Sequence, residues 1–409
     1  MGRSSSIWLA LVPALLVARC GLWPDFPEER LRSDAGVRDG SSADVTDASD
    51  VRGDMVAVSD GGDGGADAAQ EVGPDAPSSW NGFRICGEPL PMGPFAIEPA
   101  FSTGGGDGGR DGGGVVFPNI VQPRDLSFDG NGRLLLAARE NVMNNGLVAA
   151  IRPDGTFSLL YTTVGGFVSG IRTFADSRLA ITGSFPMNVM GMSQIVPGLT
   201  VTTMAGADPQ RVTFSSGFSF ASAVHNSGVV IVADSTASQL FQVSGTPLPS
   251  VVMTAVDQSA ATGTALDGPR ALAFSADYSK LYVASQNNNV IFEFDMMPDG
   301  TVVGASRRRY ASGGFTSPRS LAFDECGNLY ITAVFSGVGG AAVNGIVRVA
   351  ARSATGMGIV TVPETDTQRS IAFGEGPGFD SEMLYFADAT STLVRRVNVG
   401  IRGHMTHAP

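Results

Sequence analysis

Fifteen residues, SPRSLAFDECGNLYI from Ser317 to Ile331, decide the fold of this chain. Leu321 and Phe323 alternate with small residues, which is the period-two pattern of a β-strand packed on one face. DECGN, residues 324–328, has the acidic, glycine and amide residues that are typical of a tight turn. A second run rich in strand formers follows at Leu329-Tyr330-Ile331. The stretch therefore predicts two strands joined by a short turn.

This pattern recurs along the chain at a spacing of about 45 to 50 residues, which is the period of β-propeller blades. A third apolar run completes each unit, as GIVRVA (residues 345–350) does here. We align six units, and therefore predict an all-β fold, a six-bladed β-propeller. The loose alignment of the second and third units leaves a count of seven open. The other units begin at Gln122, Val168, Phe220, Gly268 and Gln368.

The sixth unit stops after its third strand, near Val399, so its blade needs an outer strand from elsewhere. GVVFPNI, from Gly114 to Ile120, stands where an outer strand precedes the later units. We predict that this N-terminal strand closes the last blade and removes a free sheet edge. The propeller is then expected over 114–400, with an N-terminal extension and glycine-rich connector before it (81–113) and a disordered tail after it (401–409).

The excess of acidic over basic residues lies mainly before the predicted propeller. The 409 residues carry a formal net charge of −12, with a sequence pI near 4.7, which argues against a nucleic-acid partner. Acidic residues recur among Gly, Ala and Ser over 21–80, with few aromatic residues. Such a segment cannot bury enough apolar surface to offset its chain entropy, so we predict a disordered acidic linker. We expect the protein to be a monomer.

The first twenty residues are typical of an export signal. A basic residue precedes an apolar run, Ile7 to Ala18, that is too short to span a bilayer. VARCG follows and is similar to the bacterial lipobox, with Cys20 as the residue to be lipidated, although Arg19 replaces the usual small residue. We expect a lipoprotein of the outer membrane or cell surface, the alternatives being a free periplasmic or secreted form, or an uncleaved anchor. Export would permit a disulfide between Cys86 and Cys326, and the alternative is that both thiols are unpaired.

Over residues 114–399 the repeated P-x-x-L-x-F and L-Y-V-x-D motifs resemble NHL-repeat proteins and the senescence-marker/gluconolactonase superfamily. The resemblance implies a divalent cation such as Ca²⁺ at the channel mouth, as in the lactonases of that superfamily. Arg270 and Ser285 stand where those lactonases have asparagine and aspartate ligands. Asp234 and Asp388 keep the aspartate position in two other units. They are the candidate ligands of a lactonase-type hydrolase, and the capping of local turns is the alternative for both.

Four units share an arginine at the start of the first strand, a position that lines the channel opening in such folds. Several guanidiniums at a concave mouth would favour a carboxylate, phosphate or sulfonate ligand. The alternative is that these arginines brace neighbouring blades through loop carbonyls and carboxylates. The four residues are Arg124, Arg270, Arg319 and Arg369, and the other two units have Ser169 and Phe220 at this position.

The three histidines are not expected at this mouth. His225 falls in a turn on the opposite face, and His404 and His407 fall in the predicted tail. A Ser-His-Asp triad at the mouth therefore has no base. We expect a binding module without a cofactor, for a protein, a glycan or a small anionic ligand. A metal-dependent lactonase-type hydrolase is the alternative.

Overall fold

The structure is a computed structural model that describes residues 95–100, 120–140, 145–189, 192–206, 209–214, 219–244, 252–351, 353–361, 370–387 and 394–404. The predicted export signal, the acidic linker and Cys20 lie outside these residues. No described helix is long and apolar enough to cross a membrane.

The described residues form six four-stranded antiparallel sheets, which are the predicted six blades. Blade 1 contains β2 (Ile120–Phe128), β3 (Leu134–Glu140), β4 (Gly146–Ile151) and β5 (Phe157–Thr163). Blade 2 contains β6 (Phe167–Thr173), β7 (Leu179–Val189), β8 (Met192–Thr202) and β9 (Gln210–Thr213). Blade 3 contains β10 (Ser219–Val224), β11 (Val230–Asp234), β12 (Gln239–Ser244) and β13 (Val252–Ala255).

Blade 4 contains β14 (Pro269–Phe274), β15 (Lys280–Ser285), β16 (Val290–Met296) and β17 (Val302–Ala311). Blade 5 contains β18 (Thr316–Phe323), β19 (Leu329–Ser336), β20 (Ala342–Val349) and β21 (Gly356–Thr361), with a 3₁₀ turn at Val338–Gly340 between β19 and β20. Blade 6 contains β22 (Ser370–Phe373), β23 (Met383–Ala387) and β24 (Val394–Asn398), and its outer strand is β1 (Ile97–Pro99).

Six hydrophobic clusters fill the spaces between neighbouring blades. Leu135 and Ile181 pack between blades 1 and 2, for example, and Leu136 packs with Tyr385 between blades 1 and 6. The middle strands of each blade are covered on both faces, which explains why they read as continuous apolar runs such as β4 rather than as strict alternation. The cluster between blades 6 and 1 closes the ring.

The strand that completes blade 6 is N-terminal, as predicted, but it is a different segment. Ile97 pairs with Val397 and Pro99 with Arg395, so β1 is the outer strand of this blade. Of the predicted segment Gly114–Ile120, the structure describes Ile120, which begins the innermost strand β2 of blade 1. The prediction failed because a three-residue strand, IEP, carries too short a pattern to be read from sequence.

The segment after β24 also differs from the predicted disordered tail, since residues 401–404 are packed in place. Ile401 is 2% exposed and lies in the cluster between blades 5 and 6. Backbone hydrogen bonds join Gly403 to Ser381 (2.8 Å) and His404 to the carbonyl of Phe323 (2.9 Å). The segment therefore runs from blade 6 to blade 5 across one end of the ring. The remaining residues, 405–409, lie outside the described part of the chain.

Cys326 is disulfide-bonded in the structure. It lies in the turn between β18 and β19, where its side chain packs against the cluster between blades 5 and 6. Both other cysteines, Cys20 and Cys86, lie outside the described residues. A bonded Cys326 argues against two unpaired thiols, and its pairing with Cys86 stays a prediction.

Candidate functional site

The six innermost strands run in one direction around the channel. Three hydrogen bonds join equivalent positions of neighbouring inner strands: Ile371 N–H to Ser320 Oγ (3.0 Å), Leu126 N–H to Ser370 Oγ (3.2 Å), and Ile171 N–H to Asp125 Oδ2 (2.8 Å). Because the strands are in register, their first residues meet at one end of the channel and their last residues meet at the other. We call these ends the mouth and the floor.

The structure places the described members of the arginine set at the mouth. Arg124, Arg270 and Arg319 are half-buried at the beginning of their strands, and the Nε atom of each is buried. The guanidinium of Arg124 lies over the ring of Phe167 in the next blade, 5.3 Å from its centroid. This contact fits the bracing alternative for Arg124. Arg369 lies outside the described residues.

The lactonase-type metal site gains no support from the described residues. Asp234 is buried, and its Oδ1 accepts the backbone N–H groups of Thr236 and Ala237, both at 2.9 Å, which is the capping of a local turn. Ser285, at the end of β15, accepts a hydrogen bond from the backbone N–H of Asp267 (2.9 Å) and donates one to its carbonyl (2.7 Å) through Oγ, just before β14 begins. Within the part of the chain that the structure describes, no group of three or more His, Cys, Asp or Glu could hold a metal ion. Asp388 lies outside that part.

A cavity of about 120 Å³ lies towards the floor of the channel, at the end opposite to the predicted mouth site. The ends of all six inner strands line it, together with the turns that follow β14 and β22 and with His404. Most of its wall is apolar, and a few polar groups converge on it, which is the usual make-up of a small-molecule site. The polar groups are Ser127, Arg172, Thr173, Ser275, Tyr278, Glu375 and His404.

Arg172 is the exception in the repeat at this depth of the channel. The equivalent residues of the other five inner strands are small: Ser127, Ala223, Ala273, Ala322 and Ala372. Arg172 Nη1 donates to Asp125 Oδ2 at 2.6 Å and also to the carbonyl of Ile171. Both of its hydrogen bonds to described groups use Nη1, so Nε and Nη2 remain available to a ligand.

Asp125 fixes the position of Arg172. Asp125 is 6% exposed, and its carboxylate accepts three further hydrogen bonds, from Leu126 N (3.0 Å), Ile171 N (2.8 Å) and Ser370 Oγ (2.5 Å). One side chain thus joins blades 1, 2 and 6. A guanidinium held by a buried, fully bonded carboxylate is oriented before any ligand arrives.

The floor carries a second polar group of residues, formed by Glu375, Tyr278 and His404. Glu375 follows β22 and is 7% exposed. Burial, followed by the charge of Glu375, raises the pKa of Tyr278. Burial lowers the pKa of His404, against the opposing effects of Glu375 and Asp277, so the imidazole is neutral near pH 7. All three side chains line the same cavity.

Sequence reasoning missed Arg172 and His404. A signal for Arg172 was present, since aligning the inner strands puts one arginine among five small residues. His404 had no such signal, because its position depends on how the chain after β24 crosses the floor. His225, as expected, lies in the turn after β10 on the floor side; its Nδ1 accepts from Ser227 N at 3.1 Å.

Comparison with known proteins identifies the fold. No protein-family model and no curated protein sequence matches the chain. Among solved structures, a gluconolactonase-like protein superposes with a TM-score of 0.51 and 14% identity, covering 76% of this chain and 95% of that one. Regucalcin, a calcium-binding protein from Agrobacterium tumefaciens, superposes with a TM-score of 0.49 and 14% identity, covering 78% of this chain and 97% of that one. Streptogramin B lyase superposes with a TM-score of 0.46 and 9% identity, covering 69% of this chain and 95% of that one. The chain is therefore a six-bladed β-propeller of gluconolactonase-like architecture.

Proposed function

We propose that the propeller binds a small organic anion, such as a carboxylate, in the channel cavity, with Arg172 as the charged contact. The observation that carries this proposal is the arginine at a position that is small in the other five blades. A guanidinium with free donors on one edge can bind a carboxylate through two parallel hydrogen bonds. The apolar walls would cover the rest of the ligand.

Asp125 already balances the charge of Arg172, so the site recognises an anion through directed hydrogen bonds more than through net charge. A hydrogen bond to a charged group contributes about 1.5 to 3 kcal/mol. Two such bonds and a modest apolar contact correspond to a dissociation constant between the millimolar and micromolar ranges. In this proposal the mouth arginines Arg124, Arg270 and Arg319 act before binding, by attracting the anion to the channel.

We also propose that the protein works outside the cytoplasm, on a lipid anchor at Cys20. The apolar leader and the lipobox-like VARCG motif support this location. The disulfide-bonded state of Cys326 is consistent with it, since disulfides persist in oxidising compartments. Metabolic labelling with a palmitate analogue should modify the wild type and leave Cys20→Ser unlabelled, whereas equal labelling of both would exclude this anchor.

A thermal-shift measurement tests the binding proposal. Purified full-length protein is melted with acetate, lactate, succinate, phosphate or sulfate, alongside Arg172→Met and the mouth variant Arg319→Ala. A ligand at a hundred times its dissociation constant stabilises by about 2.7 kcal/mol, or about 4 °C for a domain of this size. We expect a carboxylate to give this shift in the wild type and in Arg319→Ala, and not in Arg172→Met. A shift that is lost in Arg319→Ala and kept in Arg172→Met would place the site at the mouth.

A lactone or ester hydrolase is the second candidate. The likeness of fold to a gluconolactonase-like protein favours it over a role confined to binding. In such an enzyme a divalent cation would polarise the carbonyl, but the described residues around Asp234 do not fit one. Lactone hydrolysis that EDTA abolishes and calcium restores would establish this function, and the same melting temperature with and without EDTA, together with no turnover, would exclude it.

A further inference from the structure

We infer that the outer rim between blades 3 and 4 carries a second binding site, for a tetrahedral oxyanion such as a phosphate group. Arg307 is its main contact and Arg309 its second. Both residues belong to β17, the outer strand of blade 4, and neither lines the channel cavity. The inference therefore does not depend on the proposed function.

Arg307 is a buried cation without a counter-charge. The residue is 8% exposed, and it forms no ion pair with a carboxylate of the described residues. Its hydrogen bond within the described chain runs from Nη1 to Oε1 of Gln258, a neutral acceptor, at 2.6 Å. Burial alone lowers its pKa. A charge buried in this way is unfavourable unless an opposite charge pairs with it.

The unused donors of Arg307 share one edge of the guanidinium. Nε and Nη2 lie side by side on that edge, and neither donates to a described residue. Nε is buried, so its N–H without an acceptor destabilises the site. Nη2 is not among the buried atoms, so a ligand can reach this edge from the surface. Through the same edge an arginine binds two oxygens of an anion in parallel.

A large β-bulge directs Arg307 towards blade 3. In the ladder between β16 and β17, Glu293 pairs with Arg308 and Asp295 pairs with Val303. Between these two pairs β16 advances by two residues and β17 by five. Bulges of this kind re-aim side chains, and Arg307 is the last residue of the extra loop.

A glycine in the same bulge brings the loop after β13 against Arg307. A Cβ on Gly304 would lie 1.9 Å from the carbonyl oxygen of Asp257, so only glycine allows this approach. The next residue of the loop is Gln258, the partner of Arg307. The carboxylate of Asp257 does not pair with Arg307, since its Oδ1 accepts the N–H of Ser259 at 2.9 Å.

Arg309 brings a second guanidinium to the same side of β17. Residues two apart in a strand point to the same face and lie about 7 Å apart. Arg309 pairs with Phe292 in the ladder, and the guanidinium of Arg307 lies over the ring of the same Phe292, 5.7 Å from its centroid. Arg309 is exposed, and its Nη2 donates to Oγ1 of Thr264 at 3.4 Å. It also forms no ion pair with a described carboxylate.

Arg308, between these two residues, has the bonding of a structural arginine. Its guanidinium pairs with the carboxylates of Glu293 and Asp295, the latter at 3.2 Å. Lys280 joins the same two carboxylates. Acidic partners are thus available on the blade 5 side of β17, whereas the two arginines on the blade 3 side have neutral partners within the described chain.

Two guanidiniums favour a tetrahedral oxyanion over a carboxylate. The two oxygens of a carboxylate are occupied by a single guanidinium that binds in parallel. A phosphate group has at least three oxygens, so it can accept from Arg307 and from Arg309 together. Phosphate monoesters and free phosphate are therefore the chemical class that we assign to this site.

Isothermal titration of the full-length protein with sodium phosphate, in a phosphate-free buffer of low ionic strength, tests the site. We expect Arg307→Met to weaken binding by about tenfold or more, the loss of one or two hydrogen bonds to a charged group. Arg309→Met should also weaken binding. Arg308→Met is the matched control, because it removes the same charge from the same strand, and it should bind phosphate as the wild type does. Arg172→Met should do so too.

Melting temperature separates binding from a structural role. In phosphate-free buffer Arg307→Met should melt no lower than the wild type, because the variant removes an unpaired buried charge and keeps an apolar stem. Phosphate should raise the melting temperature of the wild type and not that of the variant. If Arg307→Met melts lower and still binds phosphate as the wild type does, the role of Arg307 is structural and the inference is overturned.

Vesicles identify the source of the phosphate group. The protein is sedimented with phosphatidylcholine vesicles that contain or lack phosphatidate. Binding to the phosphatidate vesicles that Arg307→Met abolishes would assign the site to a lipid headgroup, and binding of inorganic phosphate without vesicle binding would assign it to free phosphate. Three results would refute the site: no phosphate binding by the wild type, an equal loss in Arg308→Met, or binding that is lost in Arg172→Met and kept in Arg307→Met.

Discussion

Replacing Asp125 with asparagine tests how the candidate site is held in place. The carboxylate accepts hydrogen bonds from Arg172, Ile171, Leu126 and Ser370, and it joins three blades. Asparagine has the same shape, but it removes the counter-charge of Arg172 and turns one acceptor into a donor that faces other donors. Breaking one partner of a buried ion pair costs about 3 to 5 kcal/mol.

The corresponding change in melting temperature follows from the size of the fold. The propeller spans residues 95–404, and about 300 residues at about 2.1 cal/mol/K each give an unfolding entropy of about 0.6 kcal/mol/K. Asp125→Asn should therefore lower the melting temperature by about 5 to 8 °C. Arg172→Met should cost less, about 1 to 2 kcal/mol, because Asp125 keeps its three neutral donors. The double variant should be more stable than the sum of the two single effects predicts.

The matched control is Asp176→Asn. Asp176 also pairs with an arginine, Arg178, at 2.8 Å, but its side chain is 56% exposed. An exposed pair contributes about 0 to 1 kcal/mol, so this control should shift the melting temperature by at most 2 °C. Differential scanning calorimetry measures all four variants. If Asp125→Asn melts within 1 °C of the control (about 0.6 kcal/mol), the bonds that we assign to Asp125 do not hold the blades or orient Arg172.

Three further predictions concern the ring and its floor. Ser370→Ala removes the hydrogen bond that Ser370 Oγ donates to the buried carboxylate of Asp125 and one of the two acceptors of the Leu126 N–H, so unfolding by denaturant should show a loss of about 1 to 3 kcal/mol; a loss below about 0.5 kcal/mol would contradict this. Gly403→Ala places a Cβ 2.0 Å from that of Phe373, and should release the C-terminal segment, seen as faster proteolysis after residue 398; unchanged proteolysis would refute that packing. Burial lowers the folded-state pKa of His404, so its stabilising contribution is present above its ordinary pKa near 6.5 and is lost as pH falls through the folded value. Between about pH 7.5 and 5.5 the melting temperature of His404→Gln should therefore fall less than that of the wild type, and an equal fall would contradict this.

The sequence allowed the fold to be predicted because the repeat carries it. Most inner strands have their apolar residues and their turn at equivalent positions, so the alignment of short copies predicts a propeller without any long-range information. The loose second and third units left the count between six and seven blades, and the structure has six. The outer strand of blade 6 could not be predicted in the same way. β1 has only three residues. It occupies this place because it pairs with the backbone groups at the edge of β24, and this pairing joins parts of the chain that are far apart in sequence.

The site was predicted less well for a related reason. Equivalent arginines, such as Arg270 and Arg319, are visible as a pattern, and the pattern drew attention to the mouth. Arg172 is a departure from a pattern of small residues and becomes visible only when the inner strands are aligned residue by residue. The position of His404 depends on the path of the chain after the last repeat, which no periodicity describes.

Anion binding in the channel cavity is tested directly by a crystal structure of the full-length protein soaked with 4-bromobenzoate, with data collected at the bromine absorption edge. The anomalous peak locates the ligand without reference to any other density. We predict one peak in the channel cavity, with the carboxylate in contact with Arg172 and the bromine against the apolar wall. A peak beside Arg270 and Arg319 with an empty cavity would contradict the account and return the binding site to the mouth.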